Sequence, residues 1–229
     1  MLTQFDQFML DKITQNQEQI DHVVADYLGS FAPHMLYFES SWTNDLYSKQ
    51  SIKPLLDHLD NLIPMQPPIN VGHKYFENGE QLRYYLQLPD GIAWKNNMMY
   101  GNKLTVIGCH GVPAGLHPAL GLIPHSELQD IFTDFGSDCP SVLYFSSCHL
   151  FQDEQKAREL LQVSKCSGLF GYKGEIGYIS SVIVDLLLIS TFFMVGLEHD
   201  PTQHLTEIFE IVQDSFLPAK EAGFSLFLI

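Results

Sequence analysis

The chain has 229 residues, 45% hydrophobic and 17% charged, so it can bury a large core and is not a disordered segment. Its 12 basic residues against 27 acidic ones give a formal charge of -15, which repels phosphate backbones and argues against a nucleic-acid partner. The cysteines Cys109, Cys139, Cys148 and Cys166 form no C-x-x-C pair, which argues against a zinc ribbon, and four in a chain of this length are too few for a disulfide scaffold.

From the start of the chain, Phe5, Phe8, Met9, Ile13, Ile20, Val23, Val24, Tyr27 and Leu28 recur at helical spacing up to Gly29. A helical extension is therefore expected over 1–30, ahead of a single α/β domain over 31–229. The first residues carry acids and lack a basic segment followed by an apolar one, so no secretory leader is expected and a cytoplasmic location is. His34 to Glu39 is apolar and aromatic and predicts a strand. Ser51 to Leu62 predicts an amphipathic helix with Ser51 as N-cap and Pro54 in its first turn. Ile69 to Phe76 is a weaker strand, Gly79 to Leu88 a helix, and Pro89-Asp90-Gly91 a turn.

Leu104 to Gly108 is a β-branched buried strand, and residues 125–135 form a helix with Ser126 as candidate cap. Ser141 to Phe145 predicts the next buried strand, 153–163 a helix, and Ser167 to Gly171 a short strand. Ile176 to Leu197 is long enough to span a bilayer, but Asp185 at its centre would be costly in lipid. The expectation is a helix buried in the domain, not a membrane segment. Residues 201–216 predict a last helix and Gly223 to Ile229 a final strand. Short apolar runs alternating with helices predict a three-layer α-β-α domain around a mainly parallel sheet of roughly six strands.

Two strand ends hold the reactive side chains. One reads Leu-Thr-Val-Ile-Gly-Cys-His-Gly, 104–111; the other Ser-Val-Leu-Tyr-Phe-Ser-Ser-Cys-His, 141–149. Ligands of open parallel sheets bind beyond the carboxyl ends of the strands. About thirty residues with one predicted helix separate the two strands, enough for a single crossover, so the strands can be neighbours. A thiol with an ordinary pKa near 8.5 needs an imidazole to become a nucleophile. His110 as general base and acid, with Cys148 as nucleophile, fits acyl transfer through a thioester. The N–H groups of Gly111 and Cys148 are candidates for an oxyanion hole. Cys148 as a buried small hydrophobe is the bland alternative. His117 and His149 are rival bases, and a metal set of Cys109, His110, Cys148 and His149 is disfavoured because adjacent residues rarely chelate one ion. No cofactor is called for.

A buried strand ending in His-Gly, followed by one ending in Ser-Cys, resembles the caspase-like cysteine peptidases, a superfamily that includes caspases, metacaspases, gingipains, separase and bacterial CHAT domains. The segment 36–59 is similar to the first strand and helix of small bacterial CHAT-like proteins, and 167–190 to the strand, loop and helix after their cysteine. The resemblance implies a caspase-like fold, His110 and Cys148 as the catalytic pair, and a protein or peptide substrate. It implies a regulated effector in a bacterial defence or cell-death system, working as a homodimer or with a regulatory partner. Ser146, Ser147, Tyr172 and Glu175 are the implied substrate-binding positions. The caspase pentapeptide around the cysteine is missing. Ser146 stands where metacaspases carry the acid that selects basic substrates, and Gly177 replaces one expected acid in the loop after Tyr172. A catalytically inactive interaction module on the same fold is the alternative reading.

Overall fold

The structure, a computed structural model, describes residues 34–41, 50–59, 69–87, 104–133, 142–196 and 200–229. All belong to the unit Pro33–Ile229. The expected extension over 1–30, the turn at 89–91 and Cys139 lie outside them.

Six strands form one sheet: β1 (His34–Glu39), β2 (Asn70–Tyr75), β3 (Leu104–Gly108), β7 (Val142–Ser146), β8 (Gly168–Tyr172) and β9 (Phe224–Leu228), in the order β2-β1-β3-β7-β8-β9. Every pair is parallel except β8 with β9, which is antiparallel. Three short strands, β4 (His110–Val112), β5 (Gly115–His117) and β6 (Ile123–Pro124), form a separate antiparallel sheet directly after β3.

The central strands have apolar side chains on both faces because both are covered. Met35, Tyr37, Val106, Tyr144 and Phe170 point into a layer built with α1 (Lys53–Leu56), α5 (Tyr178–Val195), α6 (Leu205–Ser215) and α7 (Leu217–Glu221). Leu36, Phe38, Ile107, Leu143 and Phe145 point the other way, into α2 (Gly79–Gln87), α3 (His125–Thr133) and α4 (Glu154–Ser164). The domain is thus a three-layer α-β-α structure on a mostly parallel sheet. Burying each of these large side chains contributes about 1.5–3 kcal/mol.

Local signals explain the helix ends. Asp153 caps α4 by accepting from Gln155 N at 3.0 Å, and Lys165 ends it in the left-handed region at φ 56°. Asn78 accepts from Gln81 N at 2.9 Å while the Gln81 side chain accepts from Glu77 N at 2.8 Å, a reciprocal start to α2. Two expected caps are displaced. Helix α3 begins at His125, ahead of Ser126. Helix α1 has Ile52 at its N-cap position, because the Ser51 hydroxyl is turned to Glu39 at 2.7 Å and accepts from Lys53 N at 3.1 Å.

Helix α5 is long and apolar enough to cross a membrane, yet it buries Val184, Asp185, Leu188, Ile189 and Phe192 against the sheet. It is a core helix of the domain. Asp185 accepts from Tyr37 and from Tyr144, each at 2.6 Å, and Tyr144 is in turn 2.9 Å from the Tyr172 hydroxyl. Its partners are therefore hydroxyls carried on the strands.

Candidate active site

Strands β3 and β7 lie side by side, with Gly108 opposite Ser146 as their last pair. One residue further, Cys109 and Ser147 are both buried, with Sγ and Oγ 3.9 Å apart. Two residues further come His110, exposed at the start of β4, and Cys148, half-buried in the turn after β7. The parallel register therefore delivers an imidazole and a thiol to one rim of the sheet, on strands about 4.8 Å apart.

Gly111 is required by close packing. A Cβ there would run into the carbonyl oxygen of Cys148 and sit 3.0 Å from its nitrogen and 2.9 Å from Ser147 Cβ. This seam brings the Gly111 backbone against that of Cys148, the two groups expected to supply oxyanion donors. The turn beyond Cys148 is tied to the end of β8: His149, left-handed at φ 56°, donates to Gly174 O at 3.0 Å, and Phe151 N donates to Tyr172 O at 3.1 Å.

The Cys148 thiol meets the backbone of Ile176 in the loop before α5. Ile176 N–H donates to Sγ at 3.3 Å, and Sγ donates to Ile176 O at 3.3 Å. Burial pushes the thiol pKa up and the charge of Glu175 adds to this, while the N–H groups of Ile176 and of Cys148 itself oppose it. In this conformation burial and Glu175 favour the neutral thiol. Cys109 is fully buried and its pKa is pushed up to about 12 by desolvation, which makes it a packing residue.

Of the other sequence-derived positions, Glu175 is exposed beside Cys148, whereas Ser146, Ser147 and Tyr172 lie below the surface. Among the described residues no group makes a hydrogen bond of good geometry with the Ser146 hydroxyl, which lies close enough to Asp185 to favour its charge. Tyr172 spends its hydroxyl on Tyr144. His117 is directly opposite His110 in the β4–β5 pair. His149 is half-buried in the turn, and His125 is held at Pro113 O at 3.2 Å with its pKa lowered by burial. Among the described residues no group of three His, Cys, Asp or Glu side chains is arranged to hold a metal ion.

Sequence reasoning missed Glu39. It ends β1, has no exposed surface, and accepts from Ser51 Oγ at 2.7 Å and Ile52 N at 3.1 Å, with His73 Nε2 at 3.0 Å. An acid closing the otherwise apolar run His-Met-Leu-Tyr-Phe was the available signal. Neither family models nor curated proteins give a match to this chain. The class is defined by fold and rim alone: a three-layer α/β domain with a cysteine and a histidine beyond the ends of its two central strands.

Proposed function

We propose that the chain is a cysteine endopeptidase of the caspase or CHAT-like type, acting in the cytoplasm on protein or peptide substrates. The observation that carries this reading is the β3–β7 pairing with Gly108 opposite Ser146, since it sets His110 and Cys148 two residues beyond the same register point. In the reaction, Cys148 Sγ attacks the peptide carbonyl carbon as His110 takes the thiol proton. The N–H groups of Gly111 and Cys148 carry the oxyanion. The C–N bond breaks as His110 returns the proton to the leaving amine, and water then hydrolyses the thioester. The tight Gly111–Cys148 seam holds the backbones of these two residues together.

The order of the sheet also supports the resemblance, because the histidine follows the third core strand and the cysteine the fourth. By that resemblance the protein is a regulated effector of bacterial defence or cell death, working as a homodimer or with a regulatory partner. The acidic charge favours neither nucleic acid nor an anionic membrane surface.

A second reading, an inactive interaction module on the same fold, is favoured by the Ile176 contacts that occupy the Cys148 sulfur. The two separate by labelling with a peptidyl acyloxymethyl ketone and mapping the modified residue by mass spectrometry. A peptidase is labelled at Cys148, loses that label in Cys148→Ala, and is labelled at least tenfold more slowly in His110→Ala. Equal labelling of wild type and Cys148→Ala overturns the proposal.

A further inference from the structure

The loop between β8 and α5 turns the backbone of one residue, Ile176, onto the proposed nucleophile. Its N–H donates to Cys148 Sγ at 3.3 Å, and its carbonyl accepts from the same sulfur at 3.3 Å. Both ends of the loop are fixed by bonds made elsewhere. At the β8 end, Lys173 N donates to Gly223 O at 3.2 Å and Gly174 N to Ala222 O at 2.9 Å, while Gly174 O accepts from His149 N at 3.0 Å. The Lys173 ammonium adds an ion pair with Glu154 at 2.7 Å. At the helix end, Gly177 O accepts from Ser181 N at 2.9 Å. Helix α5 is itself moored to the sheet through Asp185, which accepts from Tyr37 on β1 and Tyr144 on β7, each at 2.6 Å.

Glu175, Ile176 and Gly177 lie between these anchors and are held more lightly. Glu175 and Gly177 are exposed, and Ile176 is half-buried. The backbone of Ile176 is tied down through sulfur, a weak donor and a weak acceptor. Gly177 is the N-cap of α5 and gives it no side-chain bond, and a Cβ there would meet nothing within 4 Å. A glycine in open space between two anchored segments supplies a hinge. These three residues can therefore lift while β8 and α5 stay in place.

The contact also decides where the thiol proton points. A thiol has one hydrogen, and here it is directed at Ile176 O. Attack on a carbonyl needs that hydrogen on His110, so the bond to Ile176 O must break first. The charge of Glu175 joins burial in keeping the thiol neutral while the loop is down. We infer that residues 175–177 are an autoinhibitory latch, closed on the Cys148 sulfur in the resting protein and lifted for catalysis. The inhibitory role rests on the peptidase reading; the hinged cover on the sulfur does not.

The test uses the full-length protein. The rate at which iodoacetamide alkylates Cys148, mapped by mass spectrometry at one fixed pH, reads how often the sulfur is uncovered. Gly177 has φ -68°, the value proline prefers, so Gly177→Pro keeps the closed loop and thins out the lifted conformations. Alkylation is then about threefold slower than in wild type, with Gly177→Ala in between. Amide exchange followed by NMR gives a second measure. In Cys148→Ala the Ile176 amide exchanges at least about tenfold faster, while the Gly174 amide, bonded to Ala222 O, keeps its rate. Equal alkylation of the wild type and both Gly177 variants, or an Ile176 amide indifferent to Cys148→Ala, overturns the latch. A sulfur slowed by the Gly177 substitutions, in a protein that no peptidyl ketone labels, upholds the hinged cover and sinks the peptidase reading alone. Labelling of Cys148 by the ketone, with the Ile176 amide unprotected, does the reverse.

Discussion

The two faces of the central sheet are equally buried and differently built. The face under α2, α3 and α4 is closed by interlocking rings, with Phe145 edge-on to both Phe132 and Phe151 at centroid distances of 6.1 and 5.6 Å. The face under α5, α6 and α7 has an apolar body too, but toward the carboxyl ends of the strands it buries two carboxylates, Glu39 and Asp185. Burial pushes the Asp185 pKa up to about 6 despite two tyrosine hydroxyls that favour its charge. One face therefore gains its stability mainly from dispersion and dehydration, while the other depends in addition on a set of hydrogen bonds to a buried carboxylate whose charge follows pH.

The largest effect is expected on the apolar face. Phe145→Ala removes a ring with no exposed surface from a tight cluster and costs about 3–5 kcal/mol, read as a lower urea midpoint with an unchanged slope. That loss is the same at pH 4.5 and pH 7.

Asp185→Asn isolates the other face. A carboxyl group whose pKa is higher in the folded than in the unfolded state binds its proton more tightly when folded. Its contribution is then most favourable below the unfolded value, near 4, and is lost as pH rises through about 6. The stability difference between wild type and Asp185→Asn shifts across that window by up to about 3 kcal/mol, in favour of the asparagine variant at the higher pH. A difference that is flat from pH 4 to 7 would mean that the carboxylate is not strained by burial.

A smaller change follows from Tyr37→Phe. It removes one 2.6 Å bond to Asp185 and leaves the ring packing intact, at a cost of about 1–2 kcal/mol at pH 7. Because that bond favours the charged carboxylate, the cost shrinks at pH 4.5, where Asp185 is protonated.

Much of this layout is legible in the amino-acid sequence. The runs His34–Glu39 and Leu104–Gly108 are strands over the expected residues, because apolar and aromatic side chains without a polar alternation suit a strand covered on both sides. The length of the segment between β3 and β7 allows their adjacency, which the pairing of the two strands bears out. The small β4–β5–β6 sheet was not legible: its strands are two or three residues long and interrupted by Pro113, Gly115 and Pro118, so no period of two can develop. Nor was the burial of Ser146, Ser147 and Tyr172. Being next to a candidate nucleophile suggests a pocket wall, but a hydroxyl on a covered strand is claimed by the core. The polar floor of the face under α5, α6 and α7 was equally hidden, since pairing Tyr37 with Asp185 joins residues 148 positions apart.

The sheet order makes β3 and β7 the innermost pair, with two strands outside each of them. Their backbone amides are expected to exchange with deuterium only when the whole sheet opens, with β2 and β9 at the margins fraying first. His110 and Cys148 are thus mounted on the most durable part of the scaffold, and mild denaturant would loosen both borders before it moved the reacting groups apart.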